Sequence, residues 1–314
     1  MNQTPTANSS RPPAKGLLLL AELRAPFFTG SAIPVLFGTA LAYYHTGTCD
    51  WLLFSACLLG TVLIHAGANV ANDYYDHRTG NDEANVDFVR PFTGGSRLIQ
   101  KGLLTPAEVL ALSLVCFAAG GAIGFWLFWR LGFPILVLGL LGAAGGFFYS
   151  APPLFLASRG LGEAIVAFNF GVLPTVGAYF VQTRHISGTA AFLSLPLATL
   201  IAAVLFINQF QDCRADAAVG KRNWVVRLGR KKAAPVYGVL MAVWTLPIIA
   251  GLILRLLPLA TLPALLIVLP AVKAVTIARR HYDEPQALAP ANALTILSHA
   301  GVGLLLTLGM ILGR

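Results

Sequence analysis

Apolar and polar positions along this chain fall into long blocks with no short-period alternation. Nine stretches, at approximately 21–44, 51–73, 106–128, 132–150, 161–182, 189–212, 233–254, 257–278 and 291–313, are nearly free of charge. Each is close to the roughly 20 apolar residues that a helix needs to cross the hydrocarbon core of a bilayer. The pattern predicts an all-α, polytopic membrane protein with nine transmembrane helices occupying residues 16–314. Residues 1–15 are rich in Asn, Thr, Ser and Pro and carry no apolar run; they read as a disordered tail, which leaves the first span as the targeting signal. Most connections are short. Two are long, at roughly 74–105 and 213–232, and chemistry is expected there.

Composition agrees: 56% of residues are hydrophobic and 11% charged, with a mean hydropathy of +0.72, where a soluble domain carries about 25% charge. The net charge of +9 would suit nucleic acid, but its distribution argues for a lipid bilayer instead. With nine spans, eighteen of the 22 Lys and Arg fall on the side that holds the N-terminus. The other side keeps only Arg130, Arg184, Arg255 and Arg314. The positive-inside rule then places the N-terminus and both long loops in the cytoplasm and the C-terminus outside. Cys49, Cys57, Cys116 and Cys213 lack paired metal-ligand spacing and read as small buried residues.

Seven of the thirteen carboxylates cluster at the two long connections: Asp73, Asp76, Asp82, Glu83, Asp87, Asp212 and Asp216. Their spacing repeats. Asn69-x-x-x-Asp73 ends the second span, and Asn208-x-x-x-Asp212-x-x-x-Asp216 ends the sixth. Four-residue steps place such side chains on one helix face, so His65, Asn69, Asn72, Asp73 and Asp76 form one stripe and Asn208, Asp212 and Asp216 another. Capping where a helix meets water needs one Asp or Asn, not a stripe. Crowded carboxylates need a cation between them, and Mg2+ suits them because it binds through one or two carboxylates plus phosphate oxygens and waters. Arg97, Lys101, Lys221, Arg222 and Arg227 lie near enough in sequence to neutralise a departing diphosphate; Lys231 and Lys232 read as lipid anchors.

The run from Asn72 to Asp82, Asn-Asp-Tyr-Tyr-Asp-His-Arg-Thr-Gly-Asn-Asp, resembles the first aspartate-rich motif of the UbiA superfamily of intramembrane prenyltransferases, and Asp212-Cys-Arg-Ala-Asp216 resembles the second. Leu23-Arg-Ala-Pro26, Gly95 to Pro106, Gly160-Leu-Gly-Glu163 and Gly220 to Gly229 are similar to the branch that prenylates 1,4-dihydroxy-2-naphthoate in menaquinone synthesis. The resemblance implies nine helices around a central cavity, open to the cytoplasmic side and laterally to lipid. It implies that Asp73, Asp76 and Asp82, flanked by Asn69 and Asn72, serve one magnesium site, and Asp212 and Asp216 the other. Arg97, Lys101, Lys221 and Arg222 would bind diphosphate, while Asn69, Asn72, Tyr149 and Asn208 line the cavity for the acceptor. Gly80 stands where the 4-hydroxybenzoate branch has its last acid, which leaves the role of Asp82 open and favours the naphthoate branch.

The implied reaction ionises a polyprenyl diphosphate and lets an electron-rich ring attack the allylic cation behind walls that exclude water. For a dihydroxynaphthoate acceptor the ring carboxylate leaves as CO2. Asp212 or a neighbouring carboxylate is the first candidate to take the phenolic proton and His77 the second. The alternatives are another UbiA-type acceptor (4-hydroxybenzoate, homogentisate or a chlorophyll precursor), a terpene cyclase, or a transporter. A transporter places its ionisable groups more often at mid-span or on broken helices.

Overall fold

The apolar blocks form helices, and the computed structural model describes them over residues 14–314. The first thirteen residues of the expected tail lie outside the described residues, and Lys15 already opens the first helix. Among the described residues every regular element is helical. In chain order they are α1 (Lys15–Thr46), α2 (Trp51–Thr79), α3 (Pro106–Leu131), α4 (Phe133–Phe148), α5 (Gly162–Thr183), α6 (Gly188–Ala218), α7 (Arg230–Ile253), α8 (Leu259–Arg280) and α9 (Gln286–Leu312).

Eight of these are long and apolar enough to cross a membrane. The fourth expected span is present as the apolar helix α4, but its 16 residues reach only about 24 Å, short of the roughly 30 Å hydrocarbon thickness. Polar residues set the helix ends. Asp50 accepts from Leu53 N at 3.0 Å to cap α2, and Thr105 with Glu108 forms a capping box on α3.

Two apolar clusters hold the bundle. The larger joins α1 and α5 to α6, α7, α8 and α9 around Phe37, Phe206, Phe210, Tyr237 and Trp244. The second joins α1, α2, α3, α4 and α5 through Val35, Cys57, Leu127, Ile135 and Phe180. Small residues let the backbones touch, as is common between helices in lipid: a methyl on Gly38 of α1 would collide with the Thr175 carbonyl, and one on Gly171 of α5 with Ala198 of α6. Gly171 lies in a π-helical turn, Phe168–Val172, that interrupts α5. Large apolar side chains such as Trp129, Leu259 and Leu269 remain exposed around the outside, as expected where lipid is the solvent.

The connections gather at two ends. At one, Arg184 donates to the Arg130 carbonyl at 3.0 Å, Asp50 N donates to Gln182 at 2.8 Å, and Arg314 covers the Tyr43 ring at 5.0 Å. At the other, Arg222 N donates to the Ser158 carbonyl at 3.1 Å, Gln286 reaches the Phe88 carbonyl at 3.5 Å, and Arg230 pairs with Asp283 at 2.9 Å. The acid clusters lie at this second end.

Candidate active site

Helices α2 and α6 run past their apolar spans, to Thr79 and Ala218, so Asp76 and Asp216 ride on regular helical turns. Between them lies a cavity of about 220 Å3. Its charged wall consists of Asp76 from α2, Asp82 from the turn after it, Asp212 and Asp216 from α6, Lys221, and Arg24. Amides fill much of the remaining polar wall, among them Asn69, Asn72, Asn81, Asn85, Asn169, Asn208 and Gln209, and Tyr149 lies beside them.

Lys221 sits between the two acidic helices. Gly220, at φ +77°, turns the chain after α6, and Lys221 N returns to the Asp216 carbonyl at 2.8 Å. Its Nζ lies 3.2 and 3.3 Å from the Asp76 carboxylate oxygens and 3.6 Å from Asp216 Oδ1. Burial alone would push this ammonium down, but the facing carboxylates, Asp76 first, hold it well above the ordinary lysine value. The carboxylates are also held by amides: Asn72 donates to Asp76 at 3.1 Å and to Ser150 at 2.8 Å, Asn85 to Asp212 at 2.7 Å, and Asn223 to Asp216 at 2.6 Å. Burial and the negative charge of Asp76 and Asp73 push Asp82 up to about 8.

Not every residue named from the sequence meets this wall. Asp73 turns away, accepting from Arg24 at 3.3 Å and from Ser96 N at 2.7 Å. At 100° per residue it stands 60° from Asp76 around α2, at the edge of the stripe. Arg97 donates to the Asp82 and Asn85 carbonyls and lies 4.6 Å over the Phe88 ring, so it binds the loop and not the cavity. Lys101 and Arg222 are exposed and off the wall. His77 pairs with Glu83 at 2.7 Å, outside the cavity. Asn69, Asn72, Asn208 and Tyr149 lie on its wall.

The reading of basic residues missed Arg24. Its left-handed backbone, φ +56°, swings the guanidinium into the cavity and over Phe27 at 4.5 Å. The signal was its place just before Ala25-Pro26, which open a 3-10 turn over Ala25–Phe28. Gln209 and Asn169 were also missed; their buried Oε1 and Oδ1 atoms have no partner among the described residues.

A second cavity of about 140 Å3 adjoins the first, sharing His65, Ala68, Gly146, Asn169 and Phe170 with it. It is apolar, and Gly60, Gly120, Gly124, Gly139 and Gly142 leave its walls bare of side chains.

Among the described residues no three His, Cys, Asp or Glu converge on a ready-made metal shell. The donor set nevertheless fits Mg2+. It is all oxygen, Asp216 Oδ1 and Asn81 Oδ1 are buried without hydrogen-bond partners among the described residues, and a cation would offset the burial and the carboxylate repulsion that together raise Asp82. An ion held by a few carboxylates and completed by phosphate and water needs no three-carboxylate cage.

The UbiA prenyltransferase family matches residues 31–300. The chain belongs to that family. This prenyltransferase is 28% identical over 313 residues to the 2-carboxy-1,4-naphthoquinone phytyltransferase of Synechocystis, covering 98% of both chains. It is 28% identical over 246 residues to the 1,4-dihydroxy-2-naphthoate octaprenyltransferase of Bacillus subtilis, covering 77% of both. In fold it is similar to a UbiA homologue from Archaeoglobus fulgidus whose structure holds GPP and Mg2+. The TM-score is 0.64 at 17% sequence identity, over 92% of this chain and 99% of that one. The enzyme is therefore a transferase of prenyl groups embedded in a membrane.

Proposed function

We propose that this prenyltransferase transfers a polyprenyl group from its diphosphate to 1,4-dihydroxy-2-naphthoate, with release of CO2 and diphosphate, at an active site facing the cytoplasm. The observation that carries this reading is the meeting of two acid-bearing helix ends, Asp76 of α2 and Asp212 and Asp216 of α6, across one chamber that opens into an apolar cavity. The acceptor is supported by the two naphthoate- and naphthoquinone-named relatives. The orientation is supported by the excess of Lys and Arg at the end of the bundle that bears the acids; in a bacterium the membrane is the inner one.

Asp76 with Asp82, and Asp212 with Asp216, are the residues that would hold Mg2+. When bound, the ion supplies positive charge for the diphosphate leaving group. Lys221, already among these carboxylates, donates to the same leaving group. The apolar cavity takes the first units of the tail and keeps water from the allylic carbon. In the transfer the carbon–oxygen bond to diphosphate breaks with its electron pair leaving on oxygen. The ring forms the new carbon–carbon bond, and the carboxylate carbon departs as CO2 while its bonding pair returns to the ring.

The test incubates the purified enzyme in lipid nanodiscs with a polyprenyl diphosphate, Mg2+ and a panel of 1,4-dihydroxy-2-naphthoate, 4-hydroxybenzoate and homogentisate, with products identified by mass. The expected product is a prenylated dihydroxynaphthalene that has lost the acceptor's carboxylate. Prenylation of another acceptor with none of the naphthoate overturns the assignment.

A further inference from the structure

His65 lies on α2 eleven residues before Asp76, about 16 Å along the helix axis at 1.5 Å per residue. It belongs to the walls of both cavities, at the place where the polar chamber gives way to the apolar one. Two aromatic rings clamp it edge-on, Phe170 at 4.5 Å between centroids and Phe28 at 5.6 Å.

Its Nδ1 lies 2.9 Å from Ser31 Oγ. The Ser31 hydroxyl has one proton, which it donates to the Phe28 carbonyl at 3.1 Å, so in this bond Ser31 Oγ accepts from Nδ1–H. The neutral ring that donates through Nδ1 carries its lone pair on Nε2, and Asn69, one turn further along α2 and also on the chamber wall, is the side chain within hydrogen-bonding reach of the ring. An imidazole whose tautomer is fixed by a neighbour exceeds what packing between two Phe rings requires, since an apolar side chain would fill the place without a polar group to satisfy. The carboxylates of the chamber all stand at its other end, where the metal ion and the diphosphate engage their oxygens. Among the described residues His65 is the one imidazole on either cavity wall.

Resting on the proposed prenyl transfer to a hydroxyarene, we propose that His65 Nε2 takes the phenolic proton of the aromatic acceptor as its ring attacks the allylic carbon. The separation from Asp76 accommodates, in order, a metal-linked diphosphate, an attack distance of about 3–3.5 Å and the near half of the acceptor ring. The O–H bond breaks toward Nε2, its electron pair moves into the ring, and the ring carbon bonds to the allylic carbon as diphosphate leaves with the pair of the broken carbon–oxygen bond. Loss of CO2 returns a pair to the ring, and His65 delivers the proton back to the same oxygen. Atoms, electrons and charge balance without a further reactant. Ser31 is the positioning residue for this base.

The test compares wild type, His65→Gln and Ser31→Ala with geranylgeranyl diphosphate, Mg2+ and a series of 1,4-dihydroxy-2-naphthoates whose phenols are made more acidic by ring fluorination. His65→Gln lowers kcat on the order of 10²- to 10³-fold while KM for the diphosphate stays within about threefold. The deficit shrinks as the phenol becomes more acidic, because an acceptor already ionised needs no base. Ser31→Ala loses about tenfold with the same trend. A deficit equal for all phenols, or a kcat within about threefold of wild type, overturns the proposal. If His65→Gln fails to bind a non-hydrolysable thiolo-diphosphate, the trend in Ser31→Ala decides in its place. A wild type that prenylates no hydroxyarene refutes the proposed function; a wild type that does so beside an unimpaired His65→Gln refutes the base alone.

Discussion

Replacing Lys221 by Gln removes the positive charge that separates Asp76 from Asp216 while keeping most of the side-chain volume. At 3.2 Å from Asp76 and an effective dielectric constant of about 20, the attraction lost is ~5 kcal/mol before desolvation is counted. Removing one partner of a buried pair costs about 3–5 kcal/mol in practice. Both side chains keep 16 to 17% of their exposure, and a carboxylate left unpaired takes up a proton, so the lower end applies, about 3 kcal/mol. At roughly 2 °C per kcal/mol for a chain of this size, Lys221→Gln unfolds about 6 °C below wild type in EDTA. Millimolar Mg2+ with inorganic diphosphate supplies the missing charge, so the difference falls by half or more. Thermal unfolding in detergent, followed by circular dichroism in both conditions, reads this directly. A deficit of the same size with and without Mg2+ would show that the ammonium and the metal ion do not share a place, and the reasoning about the site would fail.

Asp76→Asn and Asp212→Asn each lower turnover by 10³-fold or more, the scale of an essential electrostatic group. Asp73→Asn costs only about tenfold and raises protease sensitivity of the loop over 85–104, since Asp73 holds Ser96 and Arg24 and does not face the substrate; steady-state kinetics and limited proteolysis check both. Because Asp82 is pushed up to about 8, it is protonated below that pH in the metal-free enzyme. Binding Mg2+ then expels its proton, so affinity rises with pH up to about 8 and levels off above it. Calorimetry in buffers of different ionisation enthalpy reads the proton released, and Asp82→Asn abolishes the release. Gly139→Leu fills part of the apolar cavity where nothing stands within 4 Å of the missing Cβ; turnover with long polyprenyl diphosphates falls more than with geranyl diphosphate, as mass spectrometry of products would show. Gly171→Ala drives a methyl into Ala198 and lowers stability by about 1–3 kcal/mol, which thermal unfolding in detergent measures.

The helices were legible because lipid demands long apolar runs, and no soluble packing scheme produces eight of them. The acid layer was legible because four-residue spacing survives the end of an apolar span whenever the helix itself continues, as α2 and α6 do. Side-chain direction within that layer was less accessible. Spacing put Asp73 in the stripe, but a 60° offset and a loop amide at Ser96 draw it out of the chamber. Sequence proximity nominated Arg97, Lys101, Lys221 and Arg222; Lys221 reaches the wall and the other three do not, whereas a second cation there, Arg24, comes from the first helix by way of a left-handed backbone that no apolar pattern encodes. The sixteen-residue α4 ran longer in the apolar pattern because Gly132 before it and Tyr149 and Ser150 after it extend the stretch without being helical.

The π-helical turn at Phe168–Val172 has a consequence for how α5 can change. A wide turn absorbs one extra residue and resets the angular phase of the helix beyond it. The segment Gly162–Ala167, beside the acid layer, is thereby uncoupled in rotation from Leu173–Thr183, which is keyed to α1 by Thr175 against Gly38. Deleting a single residue between 168 and 172 would regularise the helix and rotate one half by about 100° against the other. Variation that retunes which side chain the lower half presents to a ligand can therefore accumulate as insertions and deletions within this turn, while the scaffold above it keeps its register.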